Sequence, residues 1–80
     1  MLTQYIQEAM RLAIIEFDEE DRRWYGEIPE CRGVIGVGDD EESARRDTQE
    51  ALEGWIIIGL RFGDPLPVLG GVDLNVREAA

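Results

Sequence analysis

The residues able to do chemistry in this chain are carboxylates and a single thiol. Cys31 is the only cysteine, no histidine is present, and 18 acidic residues face 8 basic ones. Catalysis by a histidine base is therefore excluded. A Cys31 nucleophile would need another base and an electropositive setting, but Glu30 flanks it. We therefore interpret the thiol as a structural residue.

The acidic residues are densest in two runs, 18–21 and 39–42. Consecutive helix positions point in different directions, so the second run cannot converge on one metal ion. Helix capping explains it, with Asp40 as the N-cap residue and acidic residues in the first turn. The first run lacks the spacing of a calcium loop and is interpreted as a solvated hairpin tip. We predict no catalytic residue, no metal and no cofactor, and a carboxylate-bound metal enzyme is the least favoured alternative.

The formal net charge of −10 bears on the class of partner. A strongly negative surface repels nucleic acid and anionic lipid, and it attracts basic proteins and speeds their docking. No stretch approaches the length of a transmembrane helix, and the longest apolar run is 55–60. We predict a protein partner, with no direct DNA or RNA binding and no membrane. The unpaired thiol and the lack of a signal-peptide pattern predict a cytoplasmic protein.

The elements that position these residues follow from hydrophobic periodicity. The pattern predicts a helix over 2–12, three strands, a long helix over 41–61 that ends before Gly63, and a late short strand around Gly70-Gly71. The strands are predicted over 13–17, 24–28 and 33–38. The fold class is therefore α+β, in two layers, with a three-stranded antiparallel sheet packed on the long helix. The chain is predicted to be a single domain over 1–80.

Two surfaces are predicted from this arrangement. A basic partner should meet carboxylates near the sheet edge and the helix start, which are Glu27, Glu30, Asp39, Asp40 and Glu42. An 80-residue chain buries a modest core, so we also predict a homodimer or higher homo-oligomer. The apolar candidates for self-association are Tyr5, Met10, Trp55, Ile56 and Ile57.

The stretch 25–34, followed by 38–44 and by Glu50-Ala51-Leu52, resembles the HicB family of antitoxin-type proteins. Members of that family have a strand that ends in a proline-containing turn, then a strand and a helix that starts with a capping residue. Residues 28–33 fill the turn here, and Asp40 stands where the family usually has threonine. The resemblance covers about residues 12–67.

The resemblance implies a partial RNase H-like fold that lacks the metal-binding carboxylates of RNase H. It also implies a role in binding and blocking HicA, a small basic ribonuclease toxin. Many members carry a C-terminal DNA-binding segment, whereas this chain stops about thirteen residues after Pro67, so we expect no operator binding. The alternative is a stand-alone oligomeric interaction or regulatory module with a different partner.

Overall fold

The computed structural model describes residues 1–75, and these contain two helices and three strands. In chain order they are α1 (Leu2–Arg11), β1 (Ile14–Asp18), β2 (Arg23–Glu27), β3 (Ile35–Gly38) and α2 (Glu41–Phe62). The strands form one antiparallel sheet in the order β1-β2-β3, and α2 packs against it. The predicted two-layer α+β fold is confirmed.

Helix α2 lies close to the sheet because the strands present glycine to it. A Cβ atom built on Gly26 or Gly36 would collide with Thr48, and one on Gly38 would collide with Ser43 and Ala44. The buried Thr48 hydroxyl is satisfied within the helix, donating to the carbonyl oxygen of Ala44 at 2.7 Å. The glycines of β3 therefore serve close helix–sheet packing.

Helix α2 begins at the predicted residue, Glu41, and ends at Phe62, one residue later than predicted and directly before Gly63. The Asp40 carboxylate accepts the backbone N–H of Ser43 at 2.7 Å, and the Ser43 hydroxyl accepts the Asp40 N–H at 3.2 Å. This reciprocal pair is a capping box. Gly63 ends the helix in the left-handed conformation, with φ of 72°.

The hydrophobic core lies beyond the glycine-lined contact, between α1, the loop after β2, the middle of α2 and the chain after α2. Its buried members are Tyr5, Ala9, Met10, Ile28, Cys31, Val34, Leu52, Ile56, Leu66 and Leu69. Tyr5, Met10 and Ile56 are therefore inside the chain's own core. This corrects the prediction that these three side chains form a self-association surface. The physical reason is that the segment following α2 folds back towards α1, and its Leu66 and Leu69 join these side chains in one core cluster.

That returning segment differs from the predicted late strand. Between residues 63 and 75, only the pair Leu69 and Val72 forms a β-bridge, and Gly70 and Gly71 between them both have positive φ. Two consecutive left-handed residues reverse the chain after a single pair. The segment is held by the Tyr5 hydroxyl, which donates to the carbonyl oxygen of Pro67 at 2.7 Å.

Strand β3 is shorter than predicted, since it begins at Ile35 and not at residue 33. Gly33 has φ of 93°, and the N–H of Val34 donates to the carbonyl oxygen of Cys31 at 3.1 Å. Residues 33 and 34 therefore belong to a turn that packs Cys31 and Val34 into the core.

Asp47 joins α2 to the free edge of β3. Its carboxylate accepts the backbone N–H of Val37 at 2.8 Å. We expect Asp47→Ala to lower the free energy of unfolding by about 1–2 kcal/mol, because a charge-assisted hydrogen bond is lost. Urea denaturation will measure the loss, with Glu50→Ala, on an exposed position of α2, as the control. Equal stability losses for both variants would contradict a special role for Asp47.

Candidate partner-binding surface

The antiparallel topology brings the two acidic runs of the sequence to one end of the molecule. The β1–β2 hairpin turns at residues 19–22, and β3 leads into α2 at the same end, because Trp24 pairs with Gly38. An ion pair of 3.2 Å between Arg23 and Asp39 joins the two segments. We call this cluster the acidic end. It consists of Asp18, Glu19, Glu20, Asp21, Asp39, Asp40, Glu41 and Glu42.

The four aspartates of the acidic end hold its shape. Asp18 closes the hairpin by accepting the N–H groups of Glu20 at 2.9 Å and Asp21 at 3.2 Å. The Tyr25 hydroxyl donates to Asp21, and this hydrogen bond raises the pKa of Tyr25. Because the Ser43 N–H and hydroxyl stabilise its ionised form, Asp40 has a lowered pKa. These aspartates therefore order both segments.

The four glutamates of the acidic end are exposed and available to a partner. Glu19 and Glu20 project from the hairpin, and Glu41 and Glu42 lie in the first turn of α2. In the part of the chain that the structure describes, none of their side chains makes a hydrogen bond or ion pair of its own. A binding partner would thus gain contacts without first breaking contacts within this chain.

An aromatic pair adjoins the acidic end. Phe17 and Trp24 are opposite each other in β1 and β2, and their rings meet edge to face with centroids 5.6 Å apart. Phe17 is 45% exposed and Trp24 is partly exposed. Aromatic side chains of this kind anchor protein–protein interfaces, while surrounding carboxylates select a basic partner.

The five predicted partner-binding residues divide between two places. Asp39, Asp40 and Glu42 belong to the acidic end, whereas Glu27 ends β2 and Glu30 lies in the loop beyond it. The register separates Glu27 from Asp18 and Asp39, the nearest members of the acidic end, by four strand positions, or roughly 13 Å. All five side chains are exposed.

The sequence interpretation missed the 18–21 run as part of this surface. A signal was present, because the predicted order of three antiparallel strands places the first hairpin and the end of the third strand together. Taken with its sequence neighbours alone, the run predicts only a solvated hairpin tip. In the fold, residues 18–21 lie beside the start of α2.

Cys31 lies in the core and away from this surface. Burial, aided by the charge of Glu30, raises the pKa of the Cys31 thiol to about 11, so the thiol is protonated at neutral pH. This setting agrees with a structural thiol. Within residues 1–75, no three cysteine, aspartate or glutamate side chains come together as a metal-binding group. Neither described helix is long and apolar enough to cross a membrane.

Comparison with known proteins places this chain among small proteins of one family. A family model described as UPF0150-like matches residues 4–67. A UPF0150 protein of Thermotoga maritima is 44% identical over 41 residues, which cover 51% of this chain and 55% of that protein. The chain therefore spans about half the length of that curated relative.

A solved structure agrees over nearly the whole chain. The crystal structure of TTHA0281 from Thermus thermophilus is similar with a TM-score of 0.87 and 35% sequence identity. The similarity covers 96% of this chain and 95% of that one. The two-helix, three-stranded architecture is thus found in an experimentally determined relative.

Proposed function

This chain belongs to the UPF0150-like family, and we propose that within it the chain acts as a HicB-like antitoxin-type protein. In this role it binds and blocks a small basic ribonuclease of the HicA type. The action is by masking and not by catalysis, and it takes place in the cytoplasm, where such a ribonuclease meets its RNA. Both the resemblance of residues 25–44 to HicB proteins and the charge distribution support the proposal.

The single observation that carries the proposal is the acidic end. Eight of the 18 acidic residues are gathered there, with Arg22 and Arg23 as the basic residues of the hairpin. A ribonuclease must present a positive surface to hold the phosphates of RNA. A protein that covers that surface needs the opposite charge, and complementary charge also speeds the encounter.

The order within the acidic end strengthens the argument. The hairpin and the start of α2 are fixed by backbone N–H groups that donate hydrogen bonds to the carboxylates of Asp18 and Asp40, so the glutamates of both segments lie on an already ordered surface. A preorganised surface loses less conformational entropy on binding than a flexible one does. The aromatic pair Phe17 and Trp24 supplies apolar area beside the charges. A partner could therefore be bound by both charged and apolar contacts.

Charge reversal at the acidic end tests the proposal. We expect Glu20→Lys combined with Glu42→Lys to reduce the association rate with a co-expressed HicA-like protein about tenfold or more at low salt. The salt dependence of the affinity should also become shallower, since fewer charges attract the partner. Surface plasmon resonance across a series of salt concentrations measures both quantities.

The matched control makes the same change of charge elsewhere. Glu27→Lys combined with Glu30→Lys alters the two predicted residues that lie outside the acidic end. Because the proposal narrows the partner surface to the acidic end, we expect this pair to weaken binding less than the first pair does. If this pair weakens binding and the first pair does not, the partner surface lies at the other end of β2. If wild-type protein neither binds the ribonuclease nor protects cells from it, the antitoxin role itself fails.

The alternative is an oligomeric regulatory module with another partner. The exposed apolar side chains at the end of α2 favour this reading, since an acidic inhibitor does not require them. The neighbouring gene discriminates between the two. A small basic open reading frame beside this one supports the antitoxin role, and its absence supports the alternative.

A further inference from the structure

The outer edge of β3 is occupied by a side chain of the helix. The Asp47 carboxylate accepts the backbone N–H of Val37 at 2.8 Å, so this N–H points away from β2. In an antiparallel pair of strands, opposite residues alternate between exchanging both backbone hydrogen bonds and exchanging none. Val37 lies opposite Tyr25, so that pair exchanges none. The next pair, Gly26 and Gly36, therefore exchanges both, and this sets the hydrogen-bond pattern of the whole sheet.

The same alternation leaves the outer edge of β1 open. Because the backbone of Gly26 bonds to β3, that of Tyr25 bonds to β1, where Glu16 lies opposite it. Ile15 and Phe17, on either side of Glu16, therefore direct their N–H and C=O groups away from the sheet. Within residues 1–75, no loop or side-chain group bonds to these outward groups. We call them the β1 edge, and an open edge of this kind can pair with another strand.

The side chains along the β1 edge alternate between apolar and acidic. Ile15 is partly exposed and Phe17 is 45% exposed, and both lie on the face of the sheet that carries α2, since Ile15 is opposite Gly26. Glu16 is exposed on the other face, and in the described part of the chain its carboxylate makes no hydrogen bond or ion pair. The strand ends at Asp18, so the β1 edge runs directly into the acidic end.

We propose that the β1 edge binds an extended segment of the basic partner as a fourth strand of the sheet. This rests on the antitoxin-type role proposed above and adds the way in which the partner is bound. The partner residues opposite Ile15 and Phe17 are apolar, and those opposite Glu16 and Asp18 are basic. Backbone hydrogen bonds supply affinity in strand addition, and the alternating side chains supply specificity.

A second copy of this chain is a poor occupant of the β1 edge. An antiparallel copy that bonded to both Ile15 and Phe17 would place each Ile15 opposite the other copy's Phe17. Glu16 would then lie directly opposite Glu16 of the other copy, and like charges in such a pair are destabilising. A basic residue at that position replaces the repulsion with an attraction. Charge complementarity therefore favours a basic segment over self-pairing.

Amide hydrogen exchange of the wild-type chain, followed by NMR, tests the hydrogen-bond pattern. In the free protein the N–H groups of Ile15 and Phe17 should exchange rapidly, while that of Glu16, which bonds to β2, should exchange slowly. Binding of the basic ribonuclease should slow exchange at Ile15 and Phe17 at least about tenfold. The N–H of Val37, already bonded to Asp47, should change little. Equal protection of Ile15, Glu16 and Phe17 in the free chain would overturn the proposal.

Proline at position 15 tests the edge by mutation. Ile15→Pro removes the outward N–H and leaves the hydrogen bonds between β1 and β2 in place. Ile15→Ala is the matched control, since it also shortens the side chain but retains the N–H. We expect Ile15→Pro to weaken partner binding about tenfold more than Ile15→Ala does, because a hydrogen bond to the added strand is lost. Circular dichroism verifies that both variants are folded, and equal affinities for the two would overturn the proposal.

A synthetic peptide distinguishes failure of this proposal from failure of the antitoxin role. A peptide of about eight alternating arginine and valine residues, at roughly 1 mM, should slow amide exchange at Ile15 and Phe17 of the wild-type chain. A peptide with the same residues in two separate blocks should slow it less. Protection by the alternating peptide, without binding of the ribonuclease, retains the β1 edge and rejects the antitoxin role. Binding of the ribonuclease without protection of Ile15 and Phe17 rejects the β1 edge and retains that role.

Discussion

Replacing Gly36 by alanine is expected to lower the free energy of unfolding by about 2–3 kcal/mol, a decrease in Tm of roughly 10–20 °C. The added methyl group would collide with the backbone nitrogen and the hydroxyl of Thr48. Neither of these two groups can move by itself. The nitrogen is part of the α2 backbone, and the hydroxyl donates a hydrogen bond to the carbonyl oxygen of Ala44. The helix must move away from the sheet, and contacts along β3 weaken.

Gly54 provides the matched control on α2 itself. A Cβ atom at this position would have no neighbour within 4 Å. Gly54→Ala should therefore raise stability by about 0.5–1 kcal/mol, because alanine restricts the unfolded chain and favours helix. Thermal and urea denaturation of the two variants should give opposite signs. Equal effects would show that the space between α2 and β3 is not what requires glycine at position 36.

The helix and strand positions could be predicted because their signals are local. Apolar periodicity and turn residues set α1, β1 and β2, and the charged run before α2 contained its N-cap residue, Asp40. The close packing of α2 on β3 is harder to predict from the sequence. A Gly-Val-Gly stretch at residues 36–38 indicates close approach of some backbone, but it does not identify Thr48 as the group that approaches.

The division of apolar residues between core and surface could not be predicted in the same way. Ile56, Ile57 and Ile58 are consecutive in sequence, yet Ile56 is buried and the other two are more than half exposed. The difference depends on what packs against each side of α2. One covering group is Leu66, which approaches Gly59, and its position follows from the chain reversal after α2. Such tertiary contacts are not encoded in the periodicity of α2.

The candidate site shows the same distinction between local and tertiary information. The capping role of Asp40 could be predicted from a few neighbouring residues. The gathering of residues 18–21 beside residues 39–42 depends on how the three strands pair. Predicting that surface requires the strand order together with the direction of each strand. The charge count alone indicated a basic partner but not where it binds.

Raising the pH above about 9 is expected to destabilise the fold strongly, because two ionisable groups lie in the core. Burial, with the nearby charges of Cys31 and Asp73, raises the pKa of Tyr5 to about 12. Burial and the charge of Glu30 raise the pKa of Cys31 to about 11. Both groups are neutral in the folded protein at neutral pH, and ionising either would place a charge among apolar side chains.

The direction of the effect follows from where each group loses its proton. In the unfolded chain Cys31 titrates near its usual value of 9.0 and Tyr5 near 10.0. From pH 9 to about 11 the unfolded chain has lost the Cys31 proton while the folded chain retains it, and from pH 10 to about 12 the same holds for Tyr5. Stability is therefore fully present below pH 9 and falls as pH rises, by at most about 1.4 kcal/mol per pH unit for each group.

Two substitutions separate these contributions in urea denaturation measured from about pH 7 to pH 12. Cys31→Ala should flatten the curve between pH 9 and about 11. Tyr5→Phe should flatten it between pH 10 and about 12, and it should also lower stability at neutral pH by about 1–2 kcal/mol, because the carbonyl oxygen of Pro67 loses its donor. Tyr25→Phe is the control, since that phenol is exposed and its pKa is raised mainly by Asp21. A variant lacking both Tyr5 and Cys31 that still follows the wild-type curve would show that alkaline unfolding begins outside the core.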